Sequence, residues 1–258
     1  MKTAILLATY GSKYSETDNS ATRNAKKIEE STGYPVYIAY IHLAPSIQDA
    51  LGRMVSDGVE RIIVVPLFMF SGSTPDLTVR KEIGLDSESR SGRISVDGKD
   101  IDVVFAGTFG DHPRIGSVIG SICERYDVSS TDTAIMLIFH GSKTDGPDSN
   151  VLFCEDKASA LGFEVLCAYT EFQDPTIEDA VKTLASEGKN ILAIPMFVSP
   201  GKHTLEDIPP KLQITEGREA TVECDGKKVH VTYTELIGMD AGIADIILDR
   251  IGEVDSQS

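Results

Sequence analysis

The sequence predicts an α/β protein of two tandem lobes, each a mostly parallel sheet with helices on both faces, related by internal duplication. Three observations carry this. The chain repeats itself at a fixed offset; short apolar runs alternate with helix-length segments; and those runs are too continuously apolar for a sheet with one face in water.

The repeat comes first. Ala4-Ile5-Leu6-Leu7-Ala8-Thr9-Tyr10-Gly11-Ser12-Lys13 returns 130 residues later as Ala134-Ile135-Met136-Leu137-Ile138-Phe139-His140-Gly141-Ser142-Lys143. Pro45-Ser46-Ile47-Gln48-Asp49-Ala50 returns as Pro175-Thr176-Ile177-Glu178-Asp179-Ala180, and Ile62-Ile63-Val64-Val65-Pro66-Leu67-Phe68 as Ile191-Leu192-Ala193-Ile194-Pro195-Met196-Phe197. Val96-Asp97-Gly98-Lys99 matches Cys224-Asp225-Gly226-Lys227. Co-linear matches of this kind indicate a duplicated unit. The lobes are expected over 1–128 and 133–258, with the polar stretch 127–133 between them.

The elements follow from composition and periodicity. In the second half, strands are expected near 134–139, 164–170, 191–198 and 229–236. A helix after the second strand is expected to be capped by Asp174, with Pro175 in its first turn. Its apolar face is Ile177, Ala180, Val181 and Leu184, and Gly188 ends it. The Asp-Gly pairs at 97–98 and 225–226 predict a hairpin before each last strand.

Composition narrows the function. A formal charge of −16 argues against a general nucleic-acid binder, which needs a basic face. No apolar run is long enough to cross a membrane, and Ala4–Ala8 is too short for a signal peptide, so a cytoplasmic protein is expected. The four cysteines (Cys123, Cys154, Cys167, Cys224) show no CxxC spacing and read as structural thiols. There is neither a phosphate-cradling glycine loop nor a GxSxG elbow.

In a parallel α/β sheet, ligands gather beyond the carboxyl ends of the strands. His140 follows the first strand of the second half, Glu171 the second, and His203 the third, after Ser199-Pro200-Gly201-Lys202. One βα unit separates each from the next, so topology makes them neighbours. Two neutral imidazoles and a carboxylate suit borderline divalent ions, and three protein ligands leave coordination positions open. The first half keeps the frame but has Tyr10 opposite His140 and Thr74 opposite His203. Glu171 falls opposite Ile41 or His42, depending on a one-residue gap. His42, His112 and His230 are expected to be structural or surface residues.

Phe139-His140-Gly141-Ser142, then Glu171-Phe172-Gln173-Asp174-Pro175-Thr176-Ile177, then Pro195 through Pro200-Gly201-Lys202-His203 resemble the class II tetrapyrrole chelatases, specifically the sirohydrochlorin cobaltochelatases. The resemblance implies two flavodoxin-like, chelatase-like lobes and insertion of a divalent ion, Co²⁺ before Ni²⁺ or Fe²⁺, into a tetrapyrrole. It implies that His140, Glu171 and His203 hold the incoming metal and that a histidine takes pyrrole protons; by their own chemistry His140 or Glu171 is the expected acceptor. The metal is then a substrate, with no tightly bound cofactor. Tyr10, Gly141, Ser142, Lys143, Gly201 and Lys202 are candidate substrate contacts: the lysines as cations for a polycarboxylate ring, the Gly141 and Ser142 amides as anion donors, the glycines as points where a flat ligand approaches the backbone. A monomer or a homo-oligomer is compatible with this reading. A non-catalytic tetrapyrrole or metal carrier is the alternative.

Overall fold

The computed structural model describes residues 1–11, 14, 20–86, 88–143 and 148–256. The Ser12-Lys13 pair of the first repeat lies outside them. In chain order the first ten elements are β1 (Thr3–Thr9), α1 (Ser20–Thr32), β2 (Val36–Tyr40), α2 (Ile47–Ser56), β3 (Arg61–Pro66), α3 (Thr74–Ile83), β4 (Ser91–Val96), β5 (Lys99–Phe105), α4 (Ile115–Arg125) and β6 (Thr133–Phe139). There follow α5 (Ser149–Ser159), β7 (Glu164–Tyr169), α6 (Ile177–Glu187), β8 (Asn190–Pro195), α7 (Ile208–Lys211), β9 (Glu219–Cys224), β10 (Lys227–Tyr233) and α8 (Gly242–Asp255). A π-wound segment, His203–Asp207, leads into α7.

The strands form two five-stranded sheets of identical order, β2-β1-β3-β5-β4 and β7-β6-β8-β10-β9. All neighbours are parallel except the β4/β5 and β9/β10 hairpins. Those hairpins turn at the expected Asp-Gly pairs, where both residues take positive φ (50° and 74° at Asp97-Gly98, 50° and 75° at Asp225-Gly226). In the first sheet, Ala4, Leu6, Ala8, Ile62 and Val64 pack with Ile47, Leu51 and Met54 of α2 and Val79 of α3. The alternate residues Ile5, Leu7, Ile63 and Val65 are buried as well, so helices cover both faces. This is why the strands read as unbroken apolar runs.

The folded units are cut differently from the repeats. One compact unit comprises Met1–His112 with Ala241–Ser258, and the other Pro113–Asp240. The boundary expected near 127–133 marks where the repeat ends, not where a folded unit ends. The physical reason is an exchange of terminal helices. In unit 2, α4 packs on α5 and buries Ile115, Val118, Ile119 and Ile122. In unit 1, α8 packs on α1 and β3. Polar contacts fix α8 there: Lys27 Nζ to Asp245 at 2.6 Å, Arg61 Nη1 to Asp255 at 2.5 Å, the Tyr34 hydroxyl to Asp255 at 2.9 Å, and Arg250 Nη2 to Asp111 at 2.8 Å.

Two local expectations are corrected. Helix α6 begins at Ile177 and is capped by Thr176, whose hydroxyl accepts from the Asp179 N–H; Asp174-Pro175 precedes the cap as a cis peptide. Three predicted strands also overrun, since β7 stops at Tyr169, β8 at Pro195 and β10 at Tyr233. Gly188 does end α6, with φ 83°. Cys123, Cys154 and Cys167 are buried and Cys224 half-buried, and none of the four is in a disulfide. Among the described residues no helix is long and apolar enough to cross a membrane.

Candidate metal centre

The carboxyl edge of the β7-β6-β8 sheet carries the predicted ligands. His140 is the first residue beyond β6. Its carbonyl accepts from the Glu171 N–H at 3.0 Å and from the Thr170 hydroxyl at 2.9 Å, which ties the loop after β6 to the loop after β7. Gly141 makes this approach possible. Its φ is 91°, and a Cβ there would run into the Glu171 carbonyl. The glycine is therefore explained by the protein's own backbone. At Gly201 a Cβ would meet nothing, and φ lies outside the left-handed region.

His203 opens the π-wound segment. Gly201 N–H donates to the Thr204 hydroxyl at 2.9 Å, and the Tyr233 hydroxyl donates to the Thr204 carbonyl at 3.0 Å, fixing the start of that turn. His203 Nδ1 lies 2.9 Å from Asp207 Oδ2, one turn on. A carboxylate on Nδ1 holds the ring's orientation and leaves Nε2 with its lone pair outward, the usual arrangement behind a metal-binding imidazole. His140 Nδ1 lies 3.1 Å from the Gly141 carbonyl. A carbonyl only accepts, so this contact places the proton on Nδ1 and again leaves Nε2 as the basic atom.

The two imidazoles meet with centroids 4.9 Å apart and planes at 81°. Glu171 lies on an exposed turn whose N–H meets the His140 carbonyl. Among the described residues no three His, Cys, Asp or Glu side chains are gathered closely enough to enclose an ion. The structure thus brings His140 and His203 together, backs His203 with Asp207, and joins Glu171 to His140 through the backbone.

The expected substrate contacts are distributed unevenly. Lys143 Nζ lies 5.1 Å from the centre of the Phe172 ring. Lys202 Nζ lies 3.8 Å from Asp207 Oδ1 and shares that carboxylate with His203. The Ser142 N–H donates to Gln173 Oε1 at 2.9 Å, so this amide is already engaged within the protein. Tyr10 belongs to unit 1, where it is exposed. Asp207, Phe172 and Gln173 were not singled out as site residues from the sequence. The i, i+4 spacing of His203 and Asp207 was the one available signal.

The strand registers settle the one-residue gap. Thr9 pairs with Tyr40, and Phe139 with Tyr169. His42 N–H donates to the Tyr10 carbonyl as Glu171 N–H donates to that of His140. His42 is therefore the counterpart of Glu171. Its ring meets Tyr10 edge to face, centroids 4.6 Å apart, and Thr74 opens α3 where His203 opens the π-wound segment.

Fold and site together define a two-lobed, chelatase-type α/β protein with an imidazole pair at one sheet edge. The CbiX family profile matches residues 4–125 and again 134–254, and the chain belongs to that family. A sirohydrochlorin cobaltochelatase of Methanosarcina barkeri is 32% identical over 122 residues, which is 46% of this chain and 94% of that relative. A probable sirohydrochlorin cobaltochelatase of Halobacterium salinarum is 23% identical across 97% of this chain and 91% of its own length. The solved structure of SirB from Bacillus subtilis with Fe³⁺ superposes with a TM-score of 0.75 at 17% identity, covering 100% of this chain and 98% of that one. The sirohydrochlorin chelatase SirB from Bacillus subtilis subspecies spizizenii in complex with cobalt gives 0.68 at 16% identity, covering 98% and 95%. Both share the fold.

Proposed function

We propose that the protein is a chelatase that inserts a divalent ion, Co²⁺ before Ni²⁺ or Fe²⁺, into sirohydrochlorin or a closely related tetrapyrrole. The observation that carries this reading is the paired imidazoles of His140 and His203, both with Nδ1 engaged and Nε2 left basic. Metallation exchanges two pyrrole N–H protons for one M²⁺. The imidazoles replace water on the incoming ion, and Glu171 swings in from its exposed turn as the third ligand. As the ion passes to the ring nitrogens, the Nε2 lone pair it frees on His140, or the Glu171 carboxylate, takes the pyrrole protons one at a time and hands them to solvent. Ring and ion both enter as substrates, so no resident cofactor is called for.

The reading is supported by membership of the CbiX family and by relatives named for sirohydrochlorin and cobalt. The test is direct. Protein is mixed with metal-free sirohydrochlorin and Co²⁺, Ni²⁺ or Fe²⁺, and the visible spectrum is followed. Metallation should be faster than without protein, fastest with Co²⁺, and the acceleration should vanish in His140→Ala and His203→Ala. Stoichiometric binding of the ring with no gain in rate would replace this reading by that of a carrier.

A further inference from the structure

We infer that Phe172 is the platform on which the macrocycle stacks beside His140; the inference rests on the function proposed above and names how its organic substrate is held.

Comparing the two units exposes the feature. Between His42 and Ser46 lie three residues, and between their counterparts Glu171 and Thr176 lie four. Both loops reach the same cis-proline and the same helix cap, so the extra residue must be absorbed within Phe172-Gln173. It is absorbed as a γ-turn. The Gln173 N–H donates to the Glu171 carbonyl at 2.9 Å, across Phe172 at φ 65°. Such a turn with positive central φ is rare and strained. The other described non-glycine residues with positive φ are Asp97, Asp127, Gln213 and Asp225, all polar. Phe172 is the one aromatic side chain among them, in a conformation that suits it badly.

The strain does not serve burial. Phe172 is 54% exposed. The turn is nevertheless pinned on both sides, by Glu171 N–H on the His140 carbonyl and by Ser142 N–H on Gln173 Oε1. A water-facing aromatic ring, held in a strained turn by hydrogen bonds to the loop that bears His140, is pre-organised for a ligand and not for the protein's own core. Its surroundings state the ligand's chemistry. The His140 ring lies 5.9 Å away, centre to centre, so a flat conjugated molecule laid on Phe172 reaches the imidazole edge. Lys143 Nζ stands over one face of the same ring, 5.1 Å from its centre, so a macrocycle takes the opposite face or displaces this exposed ammonium to an anionic group at its own edge. Unit 1, with one residue fewer, has Leu43 after His42 and no residue of positive φ in that loop.

The chain contains no tryptophan, so Phe172→Trp introduces a unique fluorophore at this position. Titration with metal-free sirohydrochlorin should quench that fluorescence with saturation, at an affinity within about threefold of the native protein's. Phe172→Ala should weaken ring binding by about tenfold, with Co²⁺ binding in the absence of ring unchanged. Phe172→Gly should weaken it equally while raising the melting temperature, because glycine accepts the positive φ; a merely structural role would lower both together. Ring binding in Phe172→Ala as tight as native, or an unquenched Phe172→Trp, would overturn the inference. These measurements use no turnover. A protein that stacks the ring but does not metallate it defeats the proposed function alone, and a chelatase indifferent to Phe172→Ala defeats the stacking alone.

Discussion

The rings of His140 and His203 lie edge to face with their centroids 4.9 Å apart, one delivered by the end of β6 and the other by the π-wound segment after β8. Two groups that bind one ion act as a unit, so their removal should not be additive. His140→Ala and His203→Ala should each weaken Co²⁺ binding by roughly 100-fold, while the double variant loses far less than the product of the two. Calorimetric titration reads both. Effects that multiply would mean that the rings serve different sites.

Asp207 should matter through His203. Asp207→Ala removes the carboxylate 2.9 Å from Nδ1 and should lower metal affinity by about 10–100-fold. Asp207→Asn keeps an acceptor oxygen and should recover most of that loss, with an unchanged melting temperature. Equal losses in both variants would show that the charge, not the orientation of the ring, is what counts.

The two glycines flanking the histidines should differ sharply. Gly141→Ala forces a Cβ onto the Glu171 carbonyl at φ 91° and should cost about 1–3 kcal/mol, along with the geometry of the site. Gly201→Ala meets nothing and should stay within about 0.5 kcal/mol of native. Chemical denaturation of the two variants side by side is the check.

The hold on α8 should weaken in acid. The hydrogen bond from Arg61, helped by that from Tyr34, keeps the Asp255 carboxyl below the usual range. A lowered carboxyl stabilises the fold fully above the unfolded value of about 3.9 and loses that contribution as pH falls through the lower folded value. The stability of unit 1 should therefore drop as pH is lowered below about 4, and Asp255→Asn should flatten this dependence. At neutral pH the same variant should cost about 1–3 kcal/mol, since the nearly buried Arg61 keeps an acceptor but loses the carboxylate charge beside it. A slope unchanged in Asp255→Asn would assign the acid sensitivity elsewhere.

Helix exchange makes a sharper demand. A chain cut at 128 carries the first repeat without the helix that completes its sheet, whereas 1–112 joined to 241–256 carries a whole unit. Hydrogen exchange should show the amides of β1 and β3 protected in the second and open in the first. Equal protection would mean that α8 is dispensable to unit 1.

The sheet was legible because parallel strands buried on both faces must be apolar throughout, as Ile135 to Phe139 and Ile191 to Ile194 are. The hairpins were legible from Asp-Gly, whose residues tolerate positive φ. The nearness of His140 and His203 followed from strand ends, and the Glu171 backbone meets that of His140, but the gathering of three side chains read from the strand ends is not found among the described residues. Exchange of α4 and α8 was not legible, because both helices end their repeats in the same place and an amphipathic stripe does not record which sheet it covers. Nor was the γ-turn. Nothing in Glu171-Phe172-Gln173 marks a positive φ, which a glycine would have signalled. Asp174 read as the cap of α6 because it stands before a proline; the hydrogen bond of Thr176 decided otherwise.

The placement of α8 also sets an order of assembly. During translation the strands of unit 1 leave the ribosome first, yet the helix that closes one face of β3 is made only after all of unit 2. At cellular elongation rates that is a delay of roughly ten seconds, during which apolar side chains of the nascent sheet await their cover. The first repeat to be synthesised is the last to be finished.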